Sequence, residues 1–384
     1  MDAIVSQVQA MAKGADEGLR KQLLDTLFRL QLSIESPQDS MQRLLYLNVN
    51  LMAVRIGCDL DFFRLLADSA TPLTAEQVAE KCGTAPTLMS RLLRYLASVG
   101  FIKEAGPDTY TANQVCRTLT ERGWTSGVYH YFDVCSPCFA ETPEFLKRTG
   151  YKDINDPTNA PFNVAHKSNL PGFVWAAQPE NSWVLTNSNN FMTVQRQGMP
   201  TWLDEYAFLE VAKSAAPEQP LFVDVGGGLG HQSVALRKAL PADIKNGIVV
   251  QDLAPVISQA QPFDGVELTV HNFWEPNPVK GAKIYYMRNI IHDWPDDKAV
   301  QILKHIKDAM APDSTCIIDE MVIPEQGAHW QATQLDMLMM TALASQERTE
   351  KQFEKLVAAA GLRIRKIYPY TVSLNDCVIE CIAE

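Results

Sequence analysis

The sequence predicts an α/β protein built from two unlike parts, and three observations lead to this fold class. Residues 1–215 look almost wholly helical, with apolar side chains at helical spacing in stretches such as 41–66. Residues 216–384 alternate short β-rich apolar runs with helical stretches, which indicates a parallel sheet covered by helices. A chain of 384 residues also has room for two domains. We therefore expect an all-α domain over 1–215 and a doubly wound α/β domain over 216–384.

The helical part contains a predicted winged helix near residues 71–113. Thr74 and Gln77 form a capping box that starts one helix, and the next helix ends at Gly100, a typical residue after a helix C-terminus. The turn residues Gly-Pro-Asp at 106–108 separate two β-type runs and predict a hairpin. Such a motif can bind DNA, but the chain has a formal net charge of −11, so we expect no nucleic acid partner.

The C-terminal part begins with an apolar run at residue 221 and contains seven such β-rich runs in all. Helical stretches separate the earlier runs, and the capping box of Thr349 and Gln352 opens the last helix. Only residues 371–376 connect the final two runs, which is too short for a helical crossover. We therefore expect the last strand to be antiparallel.

The composition excludes several classes of protein. Apolar residues make up 46% of the chain and charged residues 21%, and no run of about eighteen apolar residues could cross a membrane. The N-terminus lacks the features of a secretory signal, so we expect a cytoplasmic location. Cys135 and Cys138 have CxxC spacing but lack the further ligands of a zinc site, so we expect buried thiols and no metal.

A glycine-rich loop at residues 223–230 is the strongest motif. Its glycines follow a predicted strand and allow a sharp turn with close approach to a ligand. His231 occupies the third glycine position of a dinucleotide fingerprint, which disfavours NAD. Asp252 ends the next strand, where a carboxylate can bind both hydroxyls of a ribose. The pattern Asp-x-Gly-x-Gly-x-Gly favours S-adenosylmethionine, a nucleoside cofactor without a pyrophosphate.

His292 follows the fourth predicted strand, at the edge of the sheet where ligands of α/β proteins bind. A histidine there can act as a general base near neutral pH if a hydrogen-bonded partner holds its ring. Glu320, which ends the fifth strand, and Glu347 are both plausible partners. A purely structural alternative is that Asp293 caps the helix that follows.

Together these motifs resemble the S-adenosylmethionine-dependent O-methyltransferases of the plant caffeic acid and fungal secondary-metabolite type. The shared residues are Gly226 to Gly230, Asp252, the triplet at 292–294 and the triplet at 347–349. The likeness covers nearly the whole chain, because that family also begins with a helical, winged-helix dimerisation and substrate-lid domain. It implies a Rossmann-like class I methyltransferase domain, a small-molecule substrate and an intertwined homodimer to which the amphipathic helix within residues 1–40 contributes.

The resemblance also implies roles for individual residues. His292 would deprotonate a substrate hydroxyl while Glu347 and Glu320 orient its ring, with Asp293 as the fourth catalytic residue. The residues implied in cofactor binding are Asp224, Gly226, Gly228, Asp252, Leu253, Asn272, Phe273, which would pack on adenine, and Arg288, where the family often has lysine. The segment 191–199 would face the substrate through Phe191, Gln195, Arg196 and Met199.

Two departures from the family pattern and one alternative function remain. Asn272 replaces an aspartate that contacts adenine in the family, and the plant-type substrate motif is absent from residues 191–199.

Some fungal proteins of this type resemble pericyclases, which keep the cofactor without transferring its methyl group. They tend to have a permanent cation at the position of His292, so this histidine favours methyl transfer. His130, with Arg196, would supply the hydrogen-bond donors that a pericyclase-like site needs.

Overall fold

The computed structural model describes residues 2–384, which divide into two compact units. The first unit contains the residues up to Arg148 together with Pro161–Gly198, and the second contains Thr149–Ala160 and Met199–Glu384. The division expected at residue 215 thus differs from the observed one, because residues 149–160 and 199–215 pack with the second unit. The reason in the latter case is Trp202, which is fully buried with its ring stacked 5.6 Å from that of Phe222.

The first unit is helical apart from one small sheet. Its elements in chain order are α1 (Asp2–Ala12), α2 (Glu17–Ile34), α3 (Pro37–Leu45), α4 (Leu47–Asp59), α5 (Phe62–Asp68), β1 (Leu73–Thr74), α6 (Ala75–Cys82), α7 (Pro86–Ser98), β2 (Lys103–Gly106), β3 (Thr109–Thr111), α8 (Gln114–Thr118), α9 (Arg122–Tyr129), a π-helical turn (His130–Cys135), α10 (Ser136–Thr149), α11 (Pro161–Ala165), α12 (Gly172–Ala176), a 3-10 turn (Pro179–Asn181) and α13 (Ser182–Met192).

Helices α6 and α7 and the hairpin of β2 and β3 form the expected winged helix. Thr74 and Gln77 make both hydrogen bonds of the predicted capping box, which fixes the start of α6. The three strands lie in the order β1-β3-β2 with antiparallel pairing. Phe62, Phe63 and Leu93 lie in the buried core beneath this motif.

The helices α1, α2 and α3 have no buried residue in the chain described here. Large apolar side chains on α2 are exposed instead, among them Leu27, Phe28 and Leu30. Because apolar side chains gain free energy when they leave water, this apolar surface is suited to contact with another molecule.

The second unit is built on one large sheet. Its helices are α14 (Trp202–Glu205), α15 (Phe208–Lys213), α16 (His231–Ala239), α17 (Ala254–Ile257), α18 (Asp296–Lys307), α19 (Trp330–Leu343) and α20 (Glu350–Ala359). Its strands are β4 (Phe222–Val225), β5 (Ile248–Asp252), β6 (Glu267–Val270), β7 (Ile284–Arg288), β8 (Thr315–Met321), β9 (Leu362–Pro369) and β10 (Asp376–Ala383). These strands coincide with the seven predicted runs.

The strand order β6-β5-β4-β7-β8-β10-β9 places the carboxyl ends of β4, β5 and β7 side by side. The first five strands in this order are parallel, whereas β10 is antiparallel to both of its neighbours, β8 and β9. The predicted doubly wound sheet with a reversed last strand is therefore confirmed. Alternate residues of each central strand reach opposite cores, Val225 and Met287 on one face and Phe222 and Tyr286 on the other.

Two further features of the chain bear on its chemistry. All eight cysteines are free thiols, and burial raises the pKa of the Cys138 thiol to about 12, so it is not a reactive nucleophile. Among residues 2–384, no helix combines the length and the apolar character needed to cross a membrane.

Candidate active site

The glycine loop leaves the end of β4 and turns back along β5. The amide N–H groups of Gly226 and Gly227 both donate to the carbonyl of Gln251, at 2.8 and 3.1 Å. Gly226, Gly228 and Gly230 have positive φ angles of 68°, 59° and 82°, which non-glycine residues adopt only with strain. A Cβ atom on Gly228 would meet nothing within 4 Å, so the loop backbone there borders open space.

Asp252 ends β5 and faces this loop. Its Oδ2 accepts a hydrogen bond from the Gly228 N–H at 2.9 Å, and its Oδ1 accepts one from the Leu253 N–H at 2.7 Å. Burial raises the pKa of Asp252, although these two N–H groups oppose the rise. Each carboxylate oxygen can accept two hydrogen bonds, so the group keeps acceptor capacity for the two hydroxyls of a ribose. The chemistry of Asp252 and its loop therefore fits a nucleoside cofactor.

Asp224, which the resemblance places among the cofactor-binding residues, is buried against the glycine loop. Its carboxylate is buried, and Oδ2 accepts a hydrogen bond from the Ser233 hydroxyl at 2.8 Å. A Cβ atom on Gly227 would lie 2.6 Å from its Cγ. Burial raises the pKa of Asp224 to about 7. This residue supports the turn and the start of α16 from below.

Three aromatic rings cluster after β6 and β7, where Phe273 was expected to contact adenine. The Phe273 ring lies 5.2 Å from Trp274 and 6.1 Å from Trp294, and the two tryptophans meet edge to face at 4.7 Å. Asn272 is exposed and its side chain accepts a hydrogen bond from the Trp274 N–H. Leu253 is also exposed, at 48% of its surface. The rings of Trp274 and Trp294 thus pack against Phe273 and fix its position.

Arg288, at the end of β7, is paired within the second unit. Its Nη1 lies 2.7 Å from Oδ2 of Asp319 and 3.1 Å from the Tyr370 hydroxyl. The hydroxyls of Tyr286 and Tyr370 donate to the same carboxylate. The ion pair with Asp319 therefore fixes the Arg288 side chain, which was predicted to contact the cofactor.

His292 lies in a 3-10 turn (Ile291–Asp293) that follows β7. Asn289 has a φ of 51°, a left-handed conformation that asparagine tolerates better than most residues, and it redirects the chain from the strand into this turn. The Nδ1 atom of His292 lies 2.6 Å from Oε1 of Glu347, while Nε2 lies 3.4 Å from Oδ1 of Asp293. If Nδ1 donates to Glu347, Nε2 is left as the acceptor for a substrate proton.

The charges around His292 favour its protonated form. Burial opposes the imidazolium, but the carboxylates of Glu347 and Asp293 outweigh this effect and raise the pKa of His292 to about 10. Burial in turn raises the pKa of Asp293 to about 7. Asp293 pairs with the imidazole, and the helix that follows, α18, has no side-chain cap. The structural alternative for Asp293 is therefore not observed.

Glu320 contacts the backbone of this segment rather than the imidazole ring, which differs from the expectation that it orients the ring. Its Oε1 accepts hydrogen bonds from three successive amides, those of Ile290, Ile291 and His292. Glu320 therefore fixes the turn that carries the histidine, and of the two expected partners only Glu347 bonds to the ring.

The candidate substrate residues of the first unit gather around the π-helical turn. Glycines on α9 allow α13 to approach closely, since a Cβ atom on Gly127 would lie 2.6 Å from the Phe191 ring. Tyr131 joins Phe191 and His130 into one aromatic cluster, with ring distances of 5.6 and 5.8 Å. Nδ1 of His130 is buried with no hydrogen-bond partner among the described residues, and burial lowers its pKa to about 4.

The other candidates of segment 191–199 have separate surroundings. Gln195 donates to the sulfur of Met192, Arg196 is half-buried near Tyr131, and Met199 begins the second stretch of the second unit. Tyr131 was not predicted from the sequence as a site residue. Its position directly after His130 was the signal that could have indicated it.

Comparison with known proteins identifies the family. A description of the O-methyltransferase domain matches residues 187–363, and one of the O-methyltransferase dimerisation domain matches residues 42–122. Demethylsterigmatocystin 6-O-methyltransferase of Aspergillus parasiticus is 36% identical over 371 residues, which are 96% of this chain and 95% of that protein. The chain belongs to the O-methyltransferase family.

Other members of the family extend the comparison. O-methyltransferase lepI of Aspergillus flavus is 38% identical over 96% of this chain and 95% of its own. The structure of LepI in complex with S-adenosylmethionine has a TM-score of 0.93 at 35% identity, covering 100% of this chain and 98% of that one. A structure described as a pericyclic reaction enzyme gives the same TM-score and identity, with 99% of that chain covered. The family uses S-adenosylmethionine, in agreement with the predicted cofactor and fold.

Proposed function

We propose that this protein transfers a methyl group from S-adenosylmethionine to a hydroxyl of a small secondary metabolite, with His292 as general base. The observation that carries the proposal is the buried hydrogen bond between His292 Nδ1 and Glu347 at 2.6 Å, which orients the imidazole so that, in the neutral ring, Nε2 is the nitrogen that accepts a proton. Curated relatives that methylate oxygen, such as the demethylsterigmatocystin enzyme, support this reaction class.

In this reaction, one group of residues would bind the cofactor and another would accept the substrate proton. Gly226, Gly228 and Asp252 would hold the nucleoside cofactor, which supplies an electrophilic methyl group when bound. Nε2 of His292 would accept the proton of the substrate hydroxyl, so that the oxygen becomes a better nucleophile. The Glu347 carboxylate stabilises the imidazolium that this transfer forms, and it fixes the tautomer beforehand.

A second candidate is a pericyclic or dehydration reaction in which the methyl group is not transferred. Two observations favour it: the TM-score of 0.93 with a pericyclic reaction enzyme, and the raised pKa of His292, about 10. A histidine with that pKa is a cation at neutral pH, so it would donate a hydrogen bond to the substrate and polarise it. His130 and Arg196 of the first unit are the polar residues that we propose for substrate binding in such a reaction.

An activity assay tests the proposal. It combines the purified protein with S-adenosylmethionine and a panel of hydroxylated acceptors that includes demethylsterigmatocystin. We expect S-adenosylhomocysteine and a methylated product by mass spectrometry, and neither from His292→Gln. Calorimetry on both proteins checks that His292→Gln still binds the cofactor. Cofactor binding without methylation of any acceptor would reject methyl transfer and favour the second candidate.

We also propose that the protein is a homodimer in which α1, α2 and α3 pack against a second copy. The match of residues 42–122 to the family's dimerisation domain supports a dimer, and the lack of buried residues in these helices supports their place in its interface. Apolar burial of this kind is the main source of stability in permanent dimers.

A further inference from the structure

Arg348 is a buried cation whose contacts all converge on the segment that carries His292. Its side chain is fully buried. Nη1 donates to the carbonyl of Ile291 at 3.0 Å, and Nη2 donates to the carbonyl of Trp294 at 2.8 Å. Nε and Nη2 also bond to Oδ1 of Asp296, at 3.0 and 2.7 Å. The guanidinium therefore holds this segment on both sides of the histidine.

These bonds satisfy backbone groups that the short turn leaves open. A 3-10 turn of three residues cannot pair all of its own carbonyls, and buried carbonyls without partners are costly. Ser345 adds a bond from its hydroxyl to the carbonyl of His292. Ser345 and Arg348 thus donate hydrogen bonds to the carbonyls of the turn, while Glu320 accepts hydrogen bonds from its amide N–H groups.

The same segment touches the parts of the unit assigned to the cofactor. Ile290 packs against the glycine loop so closely that a Cβ atom on Gly226 would lie 2.6 Å from its Cδ1. The Trp294 ring lies behind Phe273 at 6.1 Å. A shift of the segment would therefore move the imidazole of His292 and the surroundings of Gly226 and Phe273 together.

We infer that Arg348 is a positioning residue that sets the imidazole of His292 and the adjoining walls of the cofactor site at the same time. The inference rests on the proposed function in one respect, namely that His292 acts on the substrate. A planar guanidinium with several donors can hold two carbonyls and a carboxylate in fixed directions, whereas the single ammonium of lysine cannot.

The test compares Arg348→Lys with Arg365→Lys in the full-length protein. Arg365 is the matched control, because it also pairs with a carboxylate of the second unit, that of Glu380, but its side chain is 55% exposed. We expect Arg348→Lys to lower kcat roughly 100-fold, the cost of a small misplacement of a reacting group, with little change in the KM for the acceptor. Calorimetry should show weaker binding of S-adenosylhomocysteine, and NMR titration of labelled histidine should show the pKa of His292 falling towards its ordinary value. Arg365→Lys should change none of these.

A folded Arg348→Lys protein with unchanged kcat, affinity and His292 titration would overturn the inference. If that variant does not fold, Asp296→Asn decides, because Asp296 is largely exposed and the change removes the negative charge that pairs with Arg348. We expect it to lower kcat and the affinity for S-adenosylhomocysteine several-fold, and unchanged values would overturn the inference. If the wild-type protein transfers no methyl group, the proposed function fails, but calorimetry and the NMR titration still test the role of Arg348.

Discussion

The imidazole of His292 and the carboxylate of Glu347 form a buried pair in which Nδ1 and Oε1 are 2.6 Å apart. The other carboxylate oxygen, Oε2, is buried without a hydrogen-bond partner among the described residues. The backbone N–H of Glu347 donates a hydrogen bond to Oδ1 of Asp336, which fixes the position of the residue. Among the described residues, the Glu347 carboxylate therefore has the imidazole of His292 as its side-chain hydrogen-bond partner.

Replacement of Glu347 by glutamine should keep the shape of the site and remove this charge. We expect kcat to fall roughly 100- to 10,000-fold, since an amide does not stabilise the imidazolium formed by proton transfer. Single-turnover methyl transfer and the NMR titration of His292 would measure the effect. Unchanged turnover in Glu347→Gln would show that His292 is not the base.

The pH dependence should separate the two candidate reactions. Since the pKa of His292 is raised to about 10, the imidazole is protonated at neutral pH and loses its proton only in alkaline solution. Methyl transfer needs the neutral ring, so kcat/KM should rise about tenfold per pH unit towards pH 10. A reaction that needs the imidazolium should instead be constant at neutral pH and fall above pH 10. Rate profiles from pH 6 to 10.5 distinguish these outcomes, and His292→Gln should lack either slope.

Alanine at two glycines of the loop should give different defects. Both positions have positive φ, but a Cβ on Gly226 would clash with Ile290, whereas one on Gly228 meets only open space. Gly226→Ala should lower the melting temperature of the free protein, at roughly 2–4 °C per kcal/mol of lost stability. Gly228→Ala should lower it less but weaken S-adenosylhomocysteine binding. Equal melting temperatures for the two variants would contradict this account of the loop.

Asp252→Ala should weaken cofactor binding by roughly 10- to 100-fold, because it removes the charged acceptor for a ribose and the support of the Gly228 N–H. Calorimetric titration with S-adenosylhomocysteine measures this change. Asp264→Asn removes an equal charge from an exposed position of the same unit and should bind normally. Equal affinities of Asp252→Ala and the wild type would disprove the ribose contact.

The oligomeric state should depend on the apolar surface of α2. Light scattering of the wild-type protein should give about twice the chain mass of 42.8 kDa. Phe28→Glu places a charge on that surface and should yield monomers, because the charge would have to be desolvated in the interface. Gln22→Glu adds the same charge at an exposed polar position of α2 and should remain dimeric. A monomeric wild-type protein would refute the proposed dimer.

The sheet and the cofactor loop could be predicted because their signals are local. Buried parallel strands produce continuous apolar runs, as in β4 and β7, and the seven runs correspond to seven strands. Parallel pairing of β4 with β5 then brings Asp252 next to the glycine loop without further information. The spacing of residues along the chain was therefore enough to predict the strands and the position of Asp252.

Other features depend on contacts between distant residues and could not be predicted. Trp202 joins the second unit because its ring meets Phe222 and Tyr286, which nothing in its neighbourhood along the chain indicates. Arg348 is a charged residue but is buried, and Glu320 accepts hydrogen bonds from backbone N–H groups of the turn rather than from the imidazole ring. Each was decided by tertiary packing.

The interrupted path of the chain through its two units has a consequence for dissection of the protein. Thr149–Ala160 belongs to the second unit although the chain on either side of it belongs to the first, so a truncated protein starting at Met199 would lack a piece of its own unit. Ile154 and Ala160 of that piece are buried, and their removal would leave apolar surface in water. A single cut after Gly198 therefore leaves the first unit with a segment that packs elsewhere and the second unit without Thr149–Ala160.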